Sequence, residues 1–261
     1  MDTVQDVHKQ WHSFIHNPAD IRRFADIFGM KEKHLALCMF LAARRKYYPS
    51  LSRSLIICNR PIIPGGGDYS QRVYQYILRL ESPIGSYTDN GNIIPNDAFA
   101  LYVMLNPKDT IKSLAKTLVR CLDDDNNQNG RSNGFKLYKE EIAKCDAQGT
   151  VKYKQIDLDT KDIGKVLSVH DLLTKLSIPI IISIETRGGF HLVYSDNLPK
   201  NTSKLLYDFK QTTKFQAPNI DGKMVNDYWF SITNQSSVIM PGTYQGGFPA
   251  RIITLDDWLK Q

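Results

Sequence analysis

Residues 151–195 constrain the fold more than any other part of the chain. VKYKQIDLDT reads as a strand, and KDIGKVLSVHDLLTKLS repeats its apolar residues at helical spacing. IPIIISIET and FHLVYS are two further strands, joined by the tight turn Arg187-Gly188-Gly189. The rest of the chain continues the pattern. NTSKLLYDFKQTTK is a helix opened by an Asn/Thr/Ser cap, MVNDYWFSIT is strand-like, and VIMPGTYQGGFPARIITL closes the chain through a Pro-Gly-Thr loop. The expected fold class is α+β.

Upstream, NPADIRRFADIFGM predicts a helix from the Asn17-Pro18 start, with apolar residues at Ile21, Phe24, Ile27 and Phe28. KEKHLALCMFLAARRKYY reads as a second helix, whose last turn carries Arg44, Arg45 and Lys46. RPIIPGGGDYS at 60–70 is a break in the pattern. RVYQYILRL suits a strand or a short helix, DAFALYVMLNPKD holds a buried strand at 98–105, and IKSLAKTLVRCLDD is a helix. The polar run 123–134 is expected to be a disordered loop. The expected organisation is therefore a basic helical N-terminal region at 1–60, then an α/β domain at 61–261.

Charge supports that division. Of the net +6, residues 1–60 contribute ten Lys/Arg against five Asp/Glu. A basic lobe suits a polyanionic partner, and equally a solvated helix face. No apolar run is long enough for a membrane helix, and the first residues lack a signal-peptide pattern. Cys38, Cys58, Cys121 and Cys145 form no CxxC pair, which argues against a zinc ribbon and a secreted disulfide scaffold. A cytoplasmic or nuclear setting follows. His8, His12 and His16 recur every four residues, but no other ligand type is near enough to favour zinc over a solvated helix.

The chemistry concentrates in two motifs. In QIDLDT, Asp157 and Asp159 point to one face of a strand, about 6.5–7 Å apart. Such like charges are costly unless solvated or bridged by a cation, and hard oxygen pairs suit Mg²⁺ or Mn²⁺. A solvated acidic turn, with Asp159 capping the next helix, is the competing reading. In IETRGGFHLVYS, the glycines Gly188 and Gly189 permit close backbone approach beside the Arg187 guanidinium. That combination suits an anion nest, and His191 follows within reach of a phosphate oxygen. A hairpin turn with a half-buried histidine is the plainer alternative. Asp221 and Asp227 are candidates for a third acid, and the Gly/Pro loop at 241–249 either borders a nucleotide pocket or is simply a turn.

The order Asp157-x-Asp159, helix, strand, Thr186-Arg187-Gly188-Gly189-x-His191, helix, acid and Pro-Gly-Thr resembles the archaeo-eukaryotic primase superfamily of primases and primase-polymerases. The likeness covers about residues 95–255. It implies a catalytic core with an RRM-like β-sheet unit, acting as a template-dependent nucleotidyltransferase. Asp157, Asp159 and either Asp221 or Asp227 would hold two Mg²⁺ or Mn²⁺ ions. His191 would contact the nucleoside triphosphate, with Thr186, Arg187, Gly188 and Gly189 around it. The implied partners are a single-stranded or primed nucleic-acid template and a helicase or other replication protein, with no membrane. Many relatives carry an arginine before Pro-Gly-Thr, where this chain has SSVIMPGT, and Arg187 is the natural substitute. A non-catalytic nucleotide- or nucleic-acid-binding protein on the same fold, and a metal-dependent nuclease, remain alternative readings.

Overall fold

The computed structural model describes residues 11–29, 34–62, 68–126, 133–145, 152–196, 198, 201–218, 223–233, 237–254 and 256–257. Among them the chain is a mixed α+β protein with six α-helices and several antiparallel sheets. The first half comprises β1 (Trp11–His12), α1 (Pro18–Phe28), β2 (Leu35–Ala43), β3 (Leu55–Ile62), α2 (Tyr69–Leu78), β4 (Ser82–Pro83), β5 (Thr88–Asp89), β6 (Asn92–Ile93), β7 (Phe99–Met104), β8 (Lys108–Asp109), α3 (Thr110–Asn126) and α4 (Gly134–Lys144). The second half comprises β9 (Tyr153–Leu158), α5 (Ile163–Lys175), β10 (Ile180–Glu185), β11 (Phe190–Ser195), α6 (Thr202–Thr212), β12 (Lys214–Pro218), β13 (Met224–Tyr228), β14 (Phe230–Thr233), β15 (Ser237–Ile239), β16 (Tyr244–Gln245), β17 (Phe248–Pro249) and β18 (Arg251–Ile253).

Two sheets carry the architecture. The first runs in the order β14-β9-β11-β10-β18, antiparallel throughout. Its strands arise in the sequence β9-α5-β10-β11-α6-β14, with the β12–β13 hairpin between α6 and β14. Period-two alternation sorts its residues. Ile156, Leu158, Phe190, Leu192 and Phe230 pack on Val166, Val169 and Leu173 of α5 and Leu206 of α6. Gln155, Asp157 and His191 take the opposite face. The second sheet is seven-stranded, with β17-β16-β7-β2-β3 as its main path. Met39, Leu41, Leu101 and Val103 share a core with Ile21, Phe24, Val73 and Ile77 of α1 and α2. Ile182, Ile184 and Val193 of the first sheet belong to that same core and tie the two sheets together.

The helix expected over 31–48 is a strand. Leu35–Ala43 is apolar at every position, so it has no 3.6-residue period, and it is buried nearly throughout between β3 and β7. It is a central strand of the second sheet. The expected boundary near residue 60 falls inside β3, and β2 pairs with β7 of the later segment, so the first sixty residues are not a separate helical region. Residues 63–67 of the proline and glycine break, and most of the polar run at 123–134, lie outside the described residues; α3 reaches Asn126 and Asn133 caps α4.

Capping follows the sequence in part. The Asn17 side chain accepts from the Ala19 N–H at the start of α1. Asp162, not Asp159, caps α5 by accepting from Gly164 and Lys165, which leaves Asp159 for the site. Asn201 precedes α6 in a helical conformation and makes no side-chain cap bond.

The tightest packing lies where β9 ends beside β11. A Cβ on Gly189 would sit 1.7 Å from the Leu158 carbonyl oxygen and 2.7 Å from the Thr160 nitrogen. Both are backbone atoms and cannot swing aside. Gly189→Ala must push the two strands apart and should cost about 3 kcal/mol or more, read as a lowered midpoint in urea unfolding.

Candidate functional site

The site begins with register. On β9, Asp157 lies directly across from His191 of β11 on one side and Ser231 of β14 on the other. His191 Nε2 is 3.5 Å from Asp157 Oδ1. Asp159 follows at the strand end, its N–H donating to the Trp229 carbonyl at 2.9 Å. These residues face a cavity of about 440 Å³ between the two sheets. Its far wall comes from β2 and β7, where Phe40 lies opposite Tyr102 and Ala42 opposite Ala100. The Phe40 and Tyr102 rings stack at 5.0 Å and 10°. Arg44 and Lys46, just beyond β2, line the cavity, and Arg44 Nη1 donates to the Tyr102 hydroxyl at 2.9 Å.

Burial shapes the electrostatics. His191 is only 8% exposed, and desolvation, with Lys46 adding to it, pulls its pKa down to about 3. The imidazole is therefore neutral at neutral pH. Burial raises the Asp157 pKa, opposed by Lys46. Asp159 is pushed up to about 6, by burial first and by the Asp157 charge second; Lys46 opposes this and Asp227 adds to it. Three residues of the cavity carry buried polar atoms without a hydrogen-bond partner: His191 Nδ1, Gln155 Oε1 and Arg44 Nε. Orphaned polar atoms and crowded carboxylates in one cleft suit a polar, charged ligand better than an apolar one.

The third acid stays outside this cluster. Asp227 is exposed on β13 and accepts from the Tyr228 N–H at 2.8 Å, close enough to repel Asp159 but on a separate two-stranded sheet. Asp221 lies outside the described residues. Among the described residues, no group of three His, Cys, Asp or Glu side chains is placed to hold a metal ion. Asp157 and Asp159 still offer the hard oxygen pair that a divalent cation takes, with substrate phosphates supplying further ligands.

The Arg-Gly-Gly turn does not form the expected anion nest. The Thr186 N–H donates to the Gly189 carbonyl at 2.9 Å, and the Gly189 N–H to Thr186 Oγ1 at 3.2 Å. The Arg187 N–H donates to Gln245 Oε1 at 2.6 Å, and its guanidinium donates to the Gly246 carbonyl at 2.9 Å while lying over the Tyr47 ring. Arg187 thus braces the turn after β16 rather than lining the cavity, which corrects the expectation that it replaces an arginine before Pro-Gly-Thr. Lys161 pins the same turn from the other side through the Glu185 carboxylate and the Thr186 carbonyl. The room at Gly189 is taken by the neighbouring strand, and Gly188 abuts Asp159, with 3.5 Å from its Cβ position to Oδ1.

Two further motifs are structural. Pro241, Gly242 and Thr243 are buried, and the Gly242 carbonyl accepts the N–H groups of His16 and Asn17 at the entrance to α1. Gly242 has φ +81°, and a Cβ there would meet the Asn17 carbonyl oxygen at 2.2 Å. His12 and His16 share no helix; His12 Nδ1 meets Asn96 Oδ1 and His16 Nε2 meets the Ala250 carbonyl, each at 2.8 Å. His8 lies outside the described residues.

Sequence reasoning missed Gln155, Phe40, Tyr102, Gln245 and the cavity role of Arg44 and Lys46. Gln155 was within reach, since it stands two residues before Asp157 on the same strand face. The others come from β2, β7 and β16, which only the tertiary fold brings opposite β9. Comparisons with known protein families, with curated proteins and with solved structures return no match.

Two outcomes follow from these contacts. The folded state raises the Asp159 pKa, so Asp159 supports folding fully below about pH 4 and that support is lost as pH rises through about 6. Asp159→Asn should therefore stabilise the protein at pH 7 by about 1 kcal/mol, a figure discounted for solvent screening of an exposed group, and change little at pH 4. Arg187→Ala should lower the thermal midpoint by several degrees through loss of the Gly246 and Tyr47 contacts, while ligand affinity at the cavity falls by less than about tenfold.

Proposed function

We propose that this protein is a metal-dependent nucleotidyltransferase of the primase-polymerase type, working on a nucleic-acid template with nucleoside triphosphates. The observation that carries the proposal is the cross-strand pairing of Asp157 with His191 in a cleft whose opposite wall presents Arg44 and Lys46. The β9-α5-β10-β11-α6-β14 unit supports it, because its strand order of fourth-first-third-second is that of an RRM-like sheet. So does the placement of Asp157 and Asp159 on the cleft side of its first strand.

Asp157 and Asp159 would hold Mg²⁺ or Mn²⁺, with Asp227 the nearest further carboxylate; when bound there, the cation supplies positive charge to the triphosphate and acidifies the attacking hydroxyl. The residues of the chain then divide the work. Lys46 and Arg44 offset the negative charge of a polyphosphate from the facing wall. His191, neutral through burial, serves as a hydrogen-bonding group without adding charge. The stacked pair Phe40 and Tyr102 offers an aromatic wall to a base. The cleft is low in dielectric, so each polar contact there counts for more than in water.

A second reading has its own support. The described residues bring only two carboxylates together, and a protein that binds nucleotide or nucleic acid without chemistry needs no third. Primer synthesis and extension with labelled nucleotides and Mg²⁺ or Mn²⁺ separates the two. Asp157→Asn and Asp159→Asn should each cut product formation by about 100-fold or more, and His191→Ala should raise the nucleotide KM. No product from the wild-type chain, together with nucleotide binding that survives both substitutions, would establish the binding reading instead. Template cleavage without added nucleotide would replace both with a nuclease.

A further inference from the structure

The helix α3 is built inside out. Its residues facing the protein include Ser113 and Thr117, both buried, whose hydroxyls bond back to the Asp109 and Ser113 carbonyls at 2.6 and 2.8 Å. Its outward face carries Ile111, Leu114, Leu118, Val119 and Leu122, each between 52% and 65% exposed. A surface helix ordinarily turns such a stripe toward the core. Here the stripe is left to solvent, and the small polar residues are buried.

We propose that this face is a self-association surface, covered by α3 of a second copy of the chain packed antiparallel. The inference does not rest on the proposed activity. The sequence of the helix is close to palindromic about Leu118. A dyad there sets Leu114 against Leu122 of the second copy and Leu118 against itself. The same dyad brings Lys112, on one flank of the stripe, alongside Asp123 on the matching flank of the second copy. Each dimer has that attractive pair twice. A parallel pairing would instead stack Lys112 on Lys112 and Asp123 on Asp123, so charge selects the antiparallel arrangement. The stripe exposes on the order of 500 Å² of apolar surface, beyond the scattered apolar residues of an ordinary monomer surface. Phe135, 58% exposed at the start of α4 and next to the Gly134 that adjoins Cys121, extends it toward the roughly 800 Å² per partner of a stable interface.

Sedimentation of the full-length chain between about 1 and about 100 μM tests this. The expected result is a reversible dimer of the 29.8 kDa chain. Leu118→Glu, at an exposed position, should weaken association by at least about tenfold while leaving the far-ultraviolet circular dichroism unchanged. Lys112→Glu should weaken it less, and Lys112→Glu combined with Asp123→Lys should restore it. Under mild oxidation, Leu118→Cys should form a covalent dimer faster than the wild-type chain. A wild-type chain that remains monomeric throughout, a dimer indifferent to Leu118→Glu, or a charge swap that fails to rescue would each overturn the proposal.

Discussion

The antiparallel pairing of β9 with β11 is the contact on which the rest of the structure depends. It fixes which residues face the helices and which face the cleft, because a slip of one residue would exchange the two sets. In the observed register Ile156 and Leu158 enter the core under α5 and α6, and Asp157 meets His191. Gly189 is the lock on this register. Its missing side chain is where the Leu158 carbonyl lies, so only glycine lets β11 begin so close to the end of β9. The turn before it is satisfied from within, by Thr186, and from outside, by Gln245 and Lys161. A hairpin held by so many short contacts gives His191 little freedom, and a site built on it is preorganised.

The cleft itself is the product of two sheets with different tasks. The first contributes polar residues at alternate positions of otherwise apolar strands. The second contributes space, since Ala42 and Ala100 stand opposite each other where larger side chains would fill the gap. Phe40 and Tyr102 stand beside them as one aromatic wall. Burial then sets the charges. It neutralises His191, raises both aspartates, and leaves Lys46 as the group that acts against the carboxylate shifts. The carboxylates are thus held in a state that a cation or a cationic ligand would relieve.

The helix α3 shows how strongly tertiary context overrides amphipathic pattern. Its leucines would suit a core, yet α4 packs on another face of the helix, where Arg120 pairs with Glu140 and Glu141. Apolar surface left in water is unfavourable in proportion to its area. A fold that accepts that cost along one face of one helix has reserved the face for contact.

Much of the second half was legible in the sequence. β9, α5, β10, the Arg-Gly-Gly turn, β11 and α6 each follow from periodicity and turn residues, which are local properties of the backbone. The proximity of Asp157, Asp159 and His191 follows from the same reading, since neighbouring strands and period-two alternation nearly force it. The tertiary structure decided what local pattern leaves degenerate. An unbroken apolar run such as Leu35–Ala43 satisfies a buried helix and a central strand equally, and only its pairing with β3 and β7 made it a strand. Arg187 had the chemistry of an anion site, but hydrogen bonds to residues almost sixty positions away turned it into a brace. The far wall of the cleft, from Phe40 to Lys46, was equally out of reach. Sequence determines what each segment can bury, and long-range packing determines which segments share the burial.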